Sequence, residues 1–341
     1  MDETYNHVIP NMNAEEYRNL SDADRPPVHD KQLQVIKVFQ DKSVIIGASN
    51  MIDRNWNGTF WYYNQLENFD RNKAYGAIRT DSGIADAAYL GQHNKCIIGE
   101  DSGTIQIVEL NDEKNDDSSS TLKTFKSLSY SCQHDDCLIS LSVFDNKLCA
   151  VSAGMDCCIK VWDVTEDLKS THSYNSAHCD TITCVSAQPK SDSVFASTSK
   201  DSDTLIWDTR KSKPAHGIFK NNNCGLTAIA WKPNDENIVA IGAEDKSITI
   251  VDIRNPNTEI CSNVVFDRAV YKLEFNPLIP NQLAGCCDGN MVKMFDIDRN
   301  LVTIYEDDRH QDFVRGLAWH QNKLLTCSWD NSILNHSLVE L

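Results

Sequence analysis

The sequence has no apolar stretch long enough to cross a membrane, and its first 30 residues lack the apolar core of a secretory signal. It also lacks a glycine-rich phosphate loop, the Gly-x-Ser-x-Gly elbow of hydrolases and the His-Glu-x-x-His motif of zinc proteases. Basic residues are scarce, since 32 Lys and Arg against 49 Asp and Glu give a formal net charge of −17. These absences predict a chain that is not an enzyme, does not enter a membrane and does not bind nucleic acid directly, because phosphates attract a basic surface.

Cysteine is abundant, but its pattern predicts neither disulfides nor a metal site. The count of 13 is odd and no secretory signal is recognised, which indicates reduced thiols and a cytoplasmic and nuclear protein. The nearest approach to a metal cluster is Cys132-x-His134-x-x-Cys137, whose spacing matches no standard zinc pattern. We therefore expect no metal and no cofactor.

A repeat runs through most of the chain. Trp162-Asp163 and Trp207-Asp208 each end a phrase that reads strand, Asp-containing turn, strand. The turn aspartate recurs at intervals of 42 to 55 residues, and a propeller blade of four short strands takes roughly 40–45 residues. The turn positions are Asp101, Asp156, Asp201, Asp245, Asp288 and Asp330. Each has a strand before it, a strand after it and a third strand earlier in the unit.

The repeat predicts an all-β fold, a seven-bladed WD40-type β-propeller closed by an N-terminal strand. Six units are visible from residue 84 onward, and Gln32–Phe39, Ser43–Ser49 and Thr59–Tyr63 supply three strands of an earlier one. In that first unit a longer loop, Asn50–Gly58, replaces the aspartate turn. Residues 31–341 would form the propeller, and part of an N-terminal arm, residues 1–30, would close the last blade and remove its open edge.

Two units carry residues typical of a buried hydrogen-bond relay, which we call a tetrad. We expect the four side chains of each tetrad to satisfy one another inside a blade. The tetrads are His134, Ser152, Asp156 and Trp162 in one unit and His178, Ser197, Asp201 and Trp207 in the next. The last unit keeps His310 and Asp330 but has His336 at the tryptophan position. Because these His–Asp pairs recur with the repeat, they indicate structural support and not a catalytic pair, which should occur once.

One stretch is not generic propeller sequence. Residues 47–61 (GASNMIDRNWNGTFW) resemble the first blade of the methylosome WD-repeat subunit, the partner of the type II protein arginine methyltransferase. Further segments match in order along residues 30 to 336. They include 82–86 (SGIAD), 134–136 (HDD), 158–163 (CIKVWD), 205–210 (LIWDTR) and 310–315 (HQDFVR).

The resemblance implies a non-catalytic adaptor. Members of this family bind the N-terminal barrel domain of the methyltransferase through blade one and neighbouring loops, in a hetero-octamer of four enzymes and four propellers. They help to present Arg-rich substrates, such as histone tails and Sm-type proteins, for symmetric dimethylation. The acidic composition agrees with basic, Arg-rich partners, although it also has the simpler explanation of solubility.

The Arg-x-Trp segment is the strongest candidate contact. Arg54, Asn55 and Trp56 lie in the polar Asn50–Gly58 loop, where a large aromatic side chain has no evident core role. Trp56 either folds back over its own blade or inserts into a partner pocket, and Trp and Arg are common hot-spot residues. Phe313 and Arg315 open the last blade next to blade one, so they are secondary candidates.

Two other functions stay open from the sequence. The first is a WD-type substrate receptor of a ubiquitin ligase, although no ligase-docking segment is recognisable. The second is an enzyme with an active site at the mouth of the funnel, which activity of the purified chain alone would reveal.

Overall fold

The computed structural model describes residues 32–52, 55–67, 69–70, 73–111, 122–211, 215–221, 224–256 and 258–337, with the backbone alone for Met51, Ile52 and Asn55. Regular structure in these ranges consists of strands, apart from a single-residue helical turn at Lys73. Among these residues, no helix is long and apolar enough to span a bilayer. The chain is therefore all-β where it is described, as predicted.

The 27 strands form successive antiparallel meanders. The first two meanders are β1 (Gln32–Val38), β2 (Val44–Ile52), β3 (Asn55–Tyr63) and β4 (Gly76–Thr80), then β5 (Ile84–Tyr89), β6 (Lys95–Glu100), β7 (Thr104–Leu110) and β8 (Lys123–Cys132). The next two are β9 (Leu138–Val143), β10 (Cys149–Gly154), β11 (Ile159–Asp163) and β12 (Lys169–Tyr174), then β13 (Ile182–Ala187), β14 (Val194–Ser199), β15 (Asp203–Asp208) and β16 (Ala215–Lys220). The last three are β17 (Leu226–Trp231), β18 (Ile238–Ala243), β19 (Ser247–Asp252) and β20 (Glu259–Val264), then β21 (Val270–Phe275), β22 (Gln282–Cys287), β23 (Val292–Asp296) and β24 (Val302–Asp307), and finally β25 (Val314–His320), β26 (Lys323–Ser328) and β27 (Ile333–Ser337).

The meanders are arranged around a circle. The first strands β1, β5, β9, β13, β17, β21 and β25 contact one another in chain order, and β25 contacts β1. Four meanders are separate four-stranded sheets, and the last has three described strands. The first two are joined into one eight-stranded sheet by a short parallel pairing of β4 with β8, at Gly76 with Lys123 and Ala77 with Thr124. Radial meanders around a central channel form a β-propeller of the WD40 type.

Burial explains why the inner strands are easy to recognise in the sequence. Every residue of β18 is buried, because this strand packs against neighbouring sheets on both faces. The outermost strands, such as β12 and β20, are mostly exposed and carry little apolar signal. The apolar core accordingly lies between adjacent sheets, with clusters that combine residues of two meanders, such as Val35 and Phe60 with Ile84 and Ile98.

The first strands also shape the channel. Each contains a register shift near its start, which leaves one bulged residue between two paired ones. All seven bulged residues line a channel with a volume of about 580 Å³. They are Gln34, Ala85, Ile139, Thr183, Thr227, Tyr271 and Arg315.

One prediction about the first meander is wrong. The described residues of the Asn50–Gly58 segment are not a loop, because β2 and β3 continue to pair from Ser49 and Gly58 out to Ile52 and Asn55. Backbone pairing needs no apolar side chains, so a polar segment with Asn and Gly can still extend a hairpin. The predicted N-terminal arm, residues 1–30, lies outside the described residues.

Candidate partner-binding site

The β2–β3 hairpin extends beyond its neighbours in the sheet. On one side, β1 pairs with β2 only as far as Gln32 and Ser49. On the other side, β4 pairs with β3 only as far as Thr80 and Gly58. Residues 50–52 and 55–57 therefore lie past the last described partner strand and form the end of a two-stranded ribbon.

Trp56 lies on this free end and is 58% exposed. Among the described residues it is the most exposed of the seven tryptophans, and it pairs across the hairpin with the backbone of Met51. Trp61, farther along β3, is 4% exposed, and its indole Nε1 donates to Thr59 Oγ1 at 2.7 Å. The strand thus carries one tryptophan in the core and one in solvent, which argues against Trp56 folding back over its blade.

Two glycines hold the base of the hairpin against the next sheet. A Cβ at Gly58 would lie 2.7 Å from the Ser82 carbonyl oxygen and 2.9 Å from that of Ala48. A Cβ at Gly83 would collide with the side chains of Ser49 and Asp101. Only glycine permits such close approach of backbone to neighbouring atoms, so this packing fixes the direction in which the ribbon leaves the propeller.

Acidic groups lie beside this base. Glu100 is buried, and burial raises the pKa of its carboxyl even though Oε2 accepts hydrogen bonds from the Ser82 N–H at 3.2 Å and hydroxyl at 3.1 Å. Gln106 Nε2 donates to the other oxygen, Oε1, at 2.7 Å. Burial also raises the pKa of Asp101 to about 6. The repeat identifies Asp101 only as a turn residue and does not identify Glu100, because neither acid stands in a motif that marks a binding surface.

The structure gives only part of the predicted Arg54-Asn55-Trp56 segment. Arg54 lies outside the described residues, and Asn55 is described by its backbone, which pairs with that of Ile52. Trp56 is the residue of this segment whose side chain the structure describes.

Both predicted tetrads have their four side chains together. In the third meander, His134 lies 2.8 Å from Asp156 through Nδ1 and 2.8 Å from Ser152 through Nε2, and Trp162 Nε1 donates to Ser152 at 2.8 Å. The corresponding distances in the fourth meander are 2.9, 2.7 and 2.8 Å, for the pairs His178–Asp201, His178–Ser197 and Trp207–Ser197.

The tetrads stabilise turns as well as side chains. Burial alone would raise the pKa of Asp201, but the N–H groups of Cys179 and Asp203, together with His178, outweigh it and lower that pKa. Burial lowers the pKa of His178 in turn, despite the nearby carboxylate. The polar side chains of this tetrad form hydrogen bonds with one another and with backbone N–H groups, which indicates a structural role.

The last meander replaces the tryptophan with histidine and gains a longer network. His310 Nδ1 lies 3.2 Å from Asp330 Oδ2 and 2.9 Å from Ser332 Oγ, and its Nε2 lies 2.7 Å from Thr326 Oγ1. His336 contacts the same hydroxyl. Its Nδ1 lies 3.1 Å from Asp307 Oδ2, a residue of the preceding meander. Burial lowers the pKa of His336 to about 4.

The secondary candidates Phe313 and Arg315 lie at the channel mouth. The Arg315 side chain is 9% exposed and its Nη2 donates to Asp288 Oδ1 at 2.8 Å. Arg315 is thus held inside the ring, and Phe313 is half-buried, while the predicted partner contact of these two residues stays a prediction. The repeat did not predict the burial of Arg315, because Tyr271, which covers it, comes from the sixth meander.

No group of three or more His, Cys, Asp or Glu side chains that could hold a metal ion occurs in the described part of the chain. His134, in the Cys132-x-His134-x-x-Cys137 segment, has both ring nitrogens engaged in its tetrad. His134 is therefore committed to its tetrad.

Comparisons with known proteins agree with this architecture. The WD domain, G-beta repeat model matches residues 123–163, 168–208 and 301–334. The chain is 30% identical over 320 residues to methylosome protein WDR77 of Xenopus laevis, covering 92% of this chain and 91% of that protein.

More distant similarity reaches other WD-repeat proteins over shorter segments. The chain is 26% identical over 149 residues to the human GATOR2 complex protein WDR24, covering 42% of this chain and 19% of that protein. It is 27% identical over 136 residues to histone acetyltransferase type B subunit 2 of Candida glabrata, covering 39% of this chain and 32% of that protein. The WDR77 match extends over nearly the whole of both chains. From that match and the propeller fold, the chain belongs to the family of the methylosome WD-repeat subunit.

Proposed function

We propose that the chain is a non-catalytic adaptor that binds the N-terminal barrel domain of a type II protein arginine methyltransferase. The observation that carries the proposal is Trp56, 58% exposed at the end of a ribbon that extends beyond the sheet. A large aromatic side chain held in solvent on a pre-ordered hairpin can enter a partner pocket with little loss of conformational entropy. Family membership supplies the class of partner.

The acidic composition supports the second half of the proposal, which is presentation of Arg-rich substrates. A net charge of −17 attracts basic segments such as histone tails and Sm-type proteins over several ångströms. Glu100 and Asp101 beside the hairpin base place part of this charge close to the proposed enzyme contact. A hetero-octamer with the enzyme, in both cytoplasm and nucleus, completes the proposal.

The proposal also includes a ring of seven blades whose last blade receives a fourth strand from residues 1–30. The last meander has three described strands, ending at β27, whereas the four separate meanders each have four. A cavity of about 310 Å³ lies where the last and first meanders meet, lined mainly by apolar side chains. The lining residues are Leu33, Ile46, Trp61, Tyr63, Phe69, Asn331 and Ile333. A strand beside β27 would cover an edge that is otherwise open to pairing.

The test is co-purification of the Trp56→Ala variant with the methyltransferase. Truncation of a hot-spot tryptophan costs about 2–4 kcal/mol of binding, or a loss of roughly 30- to 1000-fold in affinity. Tyr130→Ala is the matched control, because Tyr130 is 74% exposed on the outer strand β8 and not on the hairpin. Normal binding by Trp56→Ala, or equal losses in both variants, would contradict the proposed site.

A further inference from the structure

Arg315 is enclosed by aromatic rings at the mouth of the channel. Its guanidinium carbon lies 4.0 Å from the centre of the Tyr271 ring and 4.7 Å from the centres of the Phe313 and Trp329 rings. The Phe313 and Trp329 rings meet edge to face, at 82° with 5.3 Å between centres. Asp288 supplies a carboxylate to Nη2. We call Tyr271, Asp288, Phe313 and Trp329 the cage.

The cage is held in place by residues of different meanders. Gln34, on β1, donates from Nε2 to the Tyr271 hydroxyl at 2.8 Å and accepts from Trp329 Nε1 at 2.9 Å. One amide thereby fixes two of the three rings, and it joins the first, sixth and last meanders. A site whose walls are pinned by hydrogen bonds outside it is pre-organised for its occupant.

Part of the Arg315 guanidinium has no hydrogen-bond acceptor among the described residues. Among the described residues, neither Nε nor Nη1 of Arg315 has a hydrogen-bond partner, and both atoms are buried. Guanidinium groups in salt bridges usually use several of their five N–H donors. What holds Arg315 is therefore the stack of ring faces, which attract a cation, together with a single contact to Asp288.

We propose that the cage is a guanidinium-recognition site that the chain fills with its own Arg315. Three ring faces and a carboxylate have the chemistry that selects a flat cation. Because Arg315 is attached to β25, it outcompetes any arginine in solution, so the wild-type mouth is closed to external arginine side chains.

The consequence for the adaptor rests on the proposed function. A propeller that presents Arg-rich segments to an enzyme must leave the target arginine free. An open cage at the channel mouth would retain that side chain, whereas the filled cage does not. Arg315 thus occupies the one place among the described residues where three ring faces and a carboxylate surround a guanidinium.

The experiment compares the purified wild-type chain with Arg315→Ala and Arg315→Met, with no methyltransferase present. The probe is N-acetyl-L-arginine amide, and N-acetyl-L-citrulline amide is its neutral control. By calorimetry, Arg315→Ala should bind the arginine probe about tenfold or more tighter than wild type does, because the cage is vacant in the variant. It should bind the citrulline probe more weakly than the arginine probe, because a neutral group has no cation–π attraction to the rings. Arg315→Met refills the space and should not bind. Equal binding of both probes, or none by a folded Arg315→Ala chain, overturns the proposal.

A second measurement decides the matter if Arg315→Ala does not fold. Phenylglyoxal modifies accessible arginines, and mass spectrometry locates the products. In wild type, Arg315 should react far more slowly than Arg268, which lies nearby and is exposed. Trp329→Leu should raise the Arg315 rate about tenfold or more by opening the cage. Arg315 reacting as fast as Arg268 in wild type would show that the cage does not hold it. Failure here leaves the methyltransferase contact at Trp56 untouched, since neither measurement involves the enzyme.

Discussion

His336 Nε2 lies 2.8 Å from Thr326 Oγ1, where the other tetrads have an indole N–H facing a serine. His310 Nε2 approaches the same hydroxyl at 2.7 Å. A hydroxyl has one proton, so only one imidazole can accept from it and the other must donate. Tyr305 donates its hydroxyl to Asp307 Oδ2 at 2.7 Å, and the same carboxylate oxygen lies 3.1 Å from His336 Nδ1, so His336 donates from Nδ1 and its Nε2 accepts from Thr326. His310 then donates from Nε2 to Thr326, and its Nδ1 can accept from the Ser332 hydroxyl at 2.9 Å. Asp307 of the preceding meander therefore sets the order of donors in the last network.

The lowered pKa of His336 predicts a stability that falls in mild acid. Its folded-state pKa of about 4 lies below the ordinary value of 6.5, so the unfolded chain takes up the proton first. The contribution is complete above pH 6.5 and is lost as pH falls toward 4, by roughly 3 kcal/mol at about 1.4 kcal/mol per pKa unit. Urea unfolding of wild type and His336→Gln across this range should give a difference curve with that slope. A difference in unfolding free energy that does not change with pH would contradict this prediction.

The contribution of Asp101 to stability should change with pH in the opposite direction. Its folded-state pKa of about 6 exceeds its ordinary value of 3.8, so the ionised carboxylate opposes folding at neutral pH, and stability rises as pH falls from 6 toward 4. We expect Asp101→Asn to stabilise the chain at pH 7.5 by roughly 1–3 kcal/mol. Asp156→Asn, at the same repeat position in the next meander, should destabilise it because His134 loses an ionic acceptor. Chemical denaturation of the two variants shows whether each substitution raises or lowers the free energy of unfolding.

In the fourth meander, replacing either of two nearby aspartates with alanine should lower the free energy of unfolding by different amounts. Asp201→Ala removes the acceptor of His178 and of two backbone N–H groups, so it should cost roughly 1–3 kcal/mol. Asp203→Ala removes an exposed ion pair with Lys220 and should change stability by less than about 1 kcal/mol. Equal melting temperatures for the two variants would count against the relay.

Trp61→Ala and Trp56→Ala should separate stability from binding on a single strand. Trp61 is 4% exposed, so truncation should cost about 3–5 kcal/mol, whereas truncation of the solvent-exposed Trp56 should shift stability by no more than about 0.5 kcal/mol. Thermal unfolding is the measurement. A depressed melting point for Trp56→Ala would restore the interpretation that it covers its own blade.

Salt should distinguish the two proposed binding events. Attraction of an Arg-rich peptide to an acidic surface weakens as ionic strength rises, because exposed charges are screened beyond about 8–10 Å at 0.1–0.15 M salt. Docking of the methyltransferase through an apolar anchor should depend on salt much less. The affinities of the peptide and of the methyltransferase should be measured from 50 to 300 mM salt. If both affinities fell equally with salt, the two ligands would not bind through separate surfaces.

The sequence predicted the inner architecture better than the periphery. Turn aspartates such as Asp201 and the apolar strands around them repeat because two-sided burial demands them. The outer strands, such as β12 and β20, carry almost no pattern because their side chains are exposed. The extended hairpin was missed because its pairing depends on backbone hydrogen bonds, which polar residues such as Asn50 and Asn57 make as well as apolar ones.

Contacts between meanders were not predictable from the repeat. The Arg315 cage takes Tyr271 from the sixth meander, and the last network draws Asp307 from the same meander. Such contacts are set by ring geometry, which places residues about 40 positions apart side by side. The repeat identifies equivalent positions but not which side chains meet across a boundary.

The parallel pairing of β4 with β8 has a consequence for how the ring opens. Hydrogen bonds at Gly76 and Ala77 tie the first two sheets at their outer edges, whereas no strand pairing among the described residues joins the four separate sheets to their neighbours. In native-state hydrogen exchange these two sheets should open as one cooperative unit. The ribbon that carries Trp56 starts inside that unit, so the docking element is anchored to two sheets and resists a pulling force better than one sheet could.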